Sequence, residues 1–142
     1  MAMTVPTSGE RQWAMLAHVL ALVLALCTGW IAGAAGMLGA GIVYFLKRDA
    51  SPFVAAHARE AFNFNLSMFL YALAAIAIGV ALLGATVLSL GLGLILTAPA
   101  GLLLLLAVGA VAVLWLACSL VAAVKAWNGE PFRYPLTLRL LS

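Results

Sequence analysis

Residues 61–124 contain no Asp, Glu, Lys, Arg or His. That run far exceeds the roughly 18 apolar residues that nominate a membrane-crossing helix. A second run, residues 12–46, also lacks Asp, Glu, Lys and Arg. Composition agrees, because 8% of the chain is charged and 67% hydrophobic, against about 25% charged in soluble domains. The sequence predicts an all-α, polytopic membrane protein in which residues 1–142 form a single transmembrane domain with the lipid bilayer as its main surroundings.

Length decides how the two runs divide. As one helix, residues 12–46 would stretch about 52 Å, against a hydrocarbon core of about 30 Å. Glycines at 29, 33, 36, 39 and 41 mark the break, giving a hairpin of spans at about 8–30 and 36–48. The second span is about 20 Å long and the shortest; a re-entrant hairpin is the other reading. Thr7 and Glu10 have capping-box spacing for the first helix. Ser51-Pro52 provides an N-cap with proline at the first helical position. From there a long helix projects its first turns before spanning at about 60–83. A glycine-rich connection at 84–96 leads to a last span at about 97–127, opened by Thr97 and Pro99 and closed by Gly129 and Pro131. The prediction is four transmembrane helices as two hairpins.

Charge supports that count. Four spans put all seven basic residues, Arg11, Lys47, Arg48, Arg59, Lys125, Arg133 and Arg139, on one face. The positive-inside rule makes that face cytoplasmic, and it carries both termini. The AGA at residues 32–34 looks like a leader-cleavage site, but Glu10 beside Arg11 spoils a positive n-region, so the first segment reads as a retained anchor.

Polarity is concentrated in HAREAFNFN, residues 57–65. At about 100° per residue, His57, Glu60, Asn63, Ser67 and Tyr71 share one helix face, with Arg59 within reach of Asn63. Such a stripe is either a path for protons, ions or small solutes or a set of interhelical hydrogen bonds. His18, His57 and Glu60 have the donor types of a zinc site, but no ligand motif joins them, and hydrogen bonding near the interface is the reading adopted. No metal and no cofactor is expected. Cys27 and Cys118 lie far apart in apolar segments and read as buried thiols.

No catalytic signature is present: neither GxSxG, nor HExxH, nor a phosphate-cradling glycine loop. The acidic residues are Glu10, Asp49, Glu60 and Glu130, too few and scattered for paired-carboxylate chemistry, so the chain is not expected to be an enzyme. Its basic residues flank apolar segments instead of forming a patch, which argues against nucleic acid. In the tail, Lys125, Trp127, Phe132 and Tyr134 suit membrane-interface anchors, and the alternating Leu136, Leu138 and Leu140 suit a surface-lying segment.

Three segments, RQWAMLAH (11–18), SPFVAAHAREAFNFN (51–65) and KAWNGEPFRYP (125–135), resemble a family of small bacterial membrane proteins of unknown function. That family is grouped with the twenty-kilodalton Tic subunit of chloroplast inner-envelope protein import. The resemblance implies a helical membrane protein with a part in protein transport and carries no catalytic residues. The leading expectation is an inner-membrane protein acting through helix packing or protein contacts, a translocon-like component included, with other membrane proteins or itself as partners. Ala17, Ala21, Ala25 and Gly29 form a small-residue ridge for such a contact, within the chain or with a partner. A small transporter or channel subunit using the stripe is the alternative.

Overall fold

The structure, a computed structural model, describes residues 5–29 and 32–141. It consists of four helices, α1 (Ser8–Thr28), α2 (Ala32–Lys47), α3 (Pro52–Leu88) and α4 (Leu94–Trp127), with no strand among the described residues. Three of them, α1, α3 and α4, are each long and apolar enough to cross a membrane, whereas α2 has 16 residues. The chain divides into two compact units: residues 1–69 with 116–142, and residues 70–115.

In the first unit, α1 opens with the expected capping box. The Glu10 N–H donates to Thr7 Oγ1 at 3.3 Å, and the Thr7 N–H donates to Glu10 Oε2 at 2.8 Å. The same carboxylate accepts the Ser51 hydroxyl at 2.6 Å, while Ser51 Oγ accepts the Val54 N–H at 3.3 Å. One acid therefore caps α1 and ties its start to the start of α3.

Small residues let these helices approach closely. Ala14, Ala17, Ala21 and Ala25 are all buried on one face of α1. A Cβ added to Gly39 of α2 would stand 3.2 Å from the Ala21 nitrogen, and one on Gly36 would be 3.1 Å from the Ala21 carbonyl oxygen. The alanine ridge of α1 thus packs within the chain. Ala17, Val43, Val54 and Ala58 form one buried cluster, and Ala21, Ala40 and Ala61 a second, so α1, α2 and α3 share a core built mainly from methyl groups.

The first turn falls earlier than the glycine pattern predicts. Gly29, at φ 51°, ends α1, and α2 is already helical at Ala32, not at residue 36. Residue 30, the expected end of the first span, lies outside the described residues. Alternating glycine with alanine, as in AGAAGMLGAG, weakens a helix by about 1 kcal/mol per glycine in water, but here Gly33, Gly36 and Gly39 admit neighbouring helices.

The second unit contains the distal part of α3 and the beginning of α4. Its connection is residues 89–93, much shorter than the expected 84–96. Gly91, at φ 86°, occupies the left-handed position that glycine favours. The Thr86 and Thr97 hydroxyls meet at 2.6 Å across this turn. The α4 helix starts at Leu94, ahead of the expected Thr97, because the Thr97 N–H already donates to the Gly93 carbonyl at 3.0 Å. Pro99 consequently lies inside the helix, past the first turn, where it cannot supply the helical N–H donor to the Ile95 carbonyl. Ile76, Leu83, Leu103 and Leu105 are exposed around this unit.

Candidate functional site

The polar residues at the entrance of α3 hold the chain's own C-terminal segment. After Trp127, Gly129 at φ 79° turns the chain, and residues 130–141 run back as non-helical backbone. That backbone needs hydrogen-bond partners, and the face of α3 supplies them. Glu60 Oε2 accepts the Tyr134 N–H at 3.3 Å. Ser67 Oγ accepts the Leu138 N–H at 2.8 Å while donating to the Asn63 carbonyl at 2.7 Å. Asn63 accepts the Leu141 N–H at 2.8 Å and donates to the Leu141 carbonyl at 2.9 Å. The segment descends along α3 as far as Ser67 and returns to Asn63, turning at residues 135–136.

Three rings fix the start of this segment. Tyr134 is 3% exposed and stacks on Phe64, with centroids 4.0 Å apart and planes 15° apart. Its hydroxyl lies 2.9 Å from His18 Nδ1, His18 Nε2 lies 2.9 Å from His57 Nδ1, and His57 Nε2 lies 3.1 Å from the Glu130 carbonyl oxygen. A carbonyl only accepts, so His57 Nε2 carries a proton and its Nδ1 accepts. His18 then donates from Nε2 and accepts at Nδ1 from the Tyr134 hydroxyl. The proton order therefore runs from Tyr134 to His18 to His57 to the Glu130 carbonyl.

This chain requires neutral imidazoles. If both nitrogens of either ring carried protons, two N–H groups would face each other between His18 and His57, or the Tyr134 hydroxyl would lose its acceptor. Burial pushes the His57 pKa below its ordinary value, opposed by the Glu130 carbonyl and by the Glu60 charge. Burial also pushes the Tyr134 phenol up, which keeps it protonated and able to donate.

The stripe residues divide accordingly. His57, Glu60, Asn63 and Ser67 all engage residues 130–141, whereas Tyr71, half-buried, belongs to the second unit. Glu60 turns from the histidines toward Arg139, at 3.2 Å. Asn65 donates back to the Ala61 carbonyl at 2.9 Å and lies beside Gly36. Of the tail residues, Lys125 pairs with Glu130 at 2.8 Å and Trp127 is half exposed. Phe132 meets Tyr134 edge to face at 5.0 Å. Tyr134 itself is turned into the core, away from any aromatic belt. Leu136, Leu138 and Leu140 are exposed, but the backbone between them is fastened to α3. The sequence contained the histidines and the tyrosine; their convergence depends on the tail folding back, which no local pattern encodes.

Comparison with known proteins identifies the family. The model of the magnetosome magnetite crystal formation protein family (MamF/MmsF) matches residues 9–141. No curated protein and no solved structure matches the chain. The match corrects the resemblance to the Tic-related family, which is not supported. The three quoted segments converge in the site. His18, then His57, Glu60 and Asn63, then Glu130 and Tyr134 come from the three quoted segments and meet in one clasp. A device for holding a tail against a helix does not by itself separate one family of small helical membrane proteins from another.

Proposed function

The chain belongs to the magnetosome magnetite crystal formation protein family, and from that premise we propose that it is an integral protein of the magnetosome membrane with a part in forming magnetite crystals. It acts there through contacts with other membrane proteins, without catalysis of its own. The observation that carries the contact reading is the clasp. The polar groups on α3 that a transport path would need are occupied by residues 130–141. Non-helical backbone at membrane depth is tolerated where protein satisfies it, which gives the stripe a structural purpose.

The four helices cross the membrane as two hairpins with both termini on the cytoplasmic face, α2 being the shortest crossing. Reporter fusions at residues 34, 50, 90 and 142 are expected to read out, in, out and in. An external residue 50 overturns this arrangement.

The activity is tested by replacing Asn63 with Leu and Ser67 with Ala in a magnetosome-forming bacterium. Altered crystal size by electron microscopy, together with lost crosslinks to neighbouring membrane proteins and no flux through the reconstituted protein, supports the contact reading. Proton or solute flux in the wild type that a well-folded variant loses establishes the transporter alternative instead.

A further inference from the structure

A second polar site lies on the first unit, apart from the clasp. The end of α2 and the opening turns of α3 enclose an open cleft of about 440 Å³, lined by Tyr44, Arg48, Asp49, Pro52, Ala55, Ala56 and Arg59. This is within the range of ligand clefts, about 300–1,000 Å³. Tyr44 and Arg48 are one turn apart on α2 and its end, and Ala55, Ala56 and Arg59 share a face of α3.

The charge in the cleft is poorly compensated. Among the described residues Arg59 has no ion pair. Arg48 pairs with its neighbour Asp49, at 3.5 Å, whose side chain is 91% exposed, a pairing worth little in water, and its guanidinium lies 5.5 Å from the Phe45 ring centroid. The start of α3 adds the positive end of its dipole. Beside the cleft, the Lys47 ammonium lies 4.3 Å from the Trp13 ring centroid, an arrangement suited to the level of lipid headgroups. Guanidinium forks match phosphate oxygens in geometry as well as in charge.

We propose that this cleft binds the phosphate headgroup of an anionic phospholipid, with Arg48 and Arg59 as its principal ligands. The proposal rests on the membrane reading above, which sets the cleft at headgroup level. The lipid phosphate takes the place of Asp49 at Arg48 and engages Arg59 from the other wall. The acyl chains then run along the exposed apolar side of α2, where Ile42, Phe45 and Leu46 face outward.

The test uses the full chain purified in a neutral detergent. Mixed micelles offer it dioleoylphosphatidylglycerol and dioleoylphosphatidylcholine, and native mass spectrometry counts the lipid retained. The wild type is expected to prefer phosphatidylglycerol. Arg59→Gln should weaken retention about fivefold and Arg48→Gln/Arg59→Gln about thirtyfold, while Arg133→Gln, outside the cleft, should leave it unchanged. Arg48→Lys/Arg59→Lys keeps the charge without the fork, and partial retention is expected; it carries the test if the glutamine variants misfold. Equal retention of the two lipids, undiminished retention by a folded double variant, or an equal loss in Arg133→Gln overturns the proposal. Retention that survives excess inorganic phosphate supports a lipid ligand, whereas displacement by it assigns the cleft to free phosphate and overturns the lipid source. Alkaline carbonate extraction separates the two failures: a chain that stays in the membrane without a lipid preference refutes the cleft alone, and a chain that is extracted refutes the membrane reading.

Discussion

Asn63 holds Leu141 by both of its backbone groups: its Oδ1 accepts the Leu141 N–H at 2.8 Å and its Nδ2 donates to the Leu141 carbonyl at 2.9 Å. One side chain on a helix thereby stands in for the neighbouring strand that extended backbone would otherwise need. Asn63→Ala removes both bonds and leaves two backbone groups to be resolvated, at about 1–3 kcal/mol. Trypsin reports the release, because Arg133 and Arg139 lie in the held segment. Cleavage at these sites should accelerate about tenfold for each 1.4 kcal/mol lost. An unchanged rate would mean that the contacts other than Asn63 suffice to hold the segment.

Tyr134→Phe separates stacking from hydrogen bonding. The phenylalanine keeps the stack on Phe64 but removes the donor to His18 Nδ1. A loss of about 1–3 kcal/mol is expected from the stranded group. Combined with His57→Gln, the loss should fall short of the sum of the two single losses, because both break one chain. The thermal unfolding midpoints of the single and double variants, compared in the same detergent, decide this; additive losses would contradict a shared chain.

Acid should loosen the clasp. Folded, His57 has its pKa pushed down by burial, with the Glu130 carbonyl and the Glu60 charge opposing. Unclasped, it returns toward about 6.5. The unclasped state therefore binds more protons below that value, and stability rises with pH across the window. The contribution is complete above about pH 6.5 and is lost as the pH falls toward the lower folded value. The unfolding midpoint should drop between about pH 7 and about pH 5, and His57→Gln should flatten the profile. A wild-type midpoint independent of pH would remove the histidine chain from the account.

What was legible follows physical range. Helix starts depend on neighbours, and Thr7 with Glu10, or Ser51 with Pro52, are read correctly because a cap is completed within four residues. The shared face of His57, Glu60, Asn63 and Ser67 is likewise a matter of helical period. Their partners are not, since Asn63 and Leu141 are separated by most of a helical hairpin. The leucines at 136, 138 and 140 indicated an amphipathic surface segment, yet the backbone amides between them decide where that segment lies.

Glycine spacing on α2 makes the sharpest contrast between helices. A Cβ on Gly33 would lie 2.7 Å from Phe69 Cβ and 2.9 Å from its Cα and N, so backbone as well as side chain would have to move. Gly84, also within a helix, has nothing within 4 Å of the corresponding position. Gly33→Ala is therefore expected to destabilise by about 1–3 kcal/mol through overpacking. Gly84→Ala should be neutral or stabilising by up to about 1 kcal/mol, because alanine restricts the unfolded chain and favours helix. Unfolding of both variants in the same detergent, followed by far-UV circular dichroism, measures the difference. Equal effects would show that α2 and α3 do not meet at Gly33 and Phe69, and would remove the close approach that sets Asn65 beside Gly36.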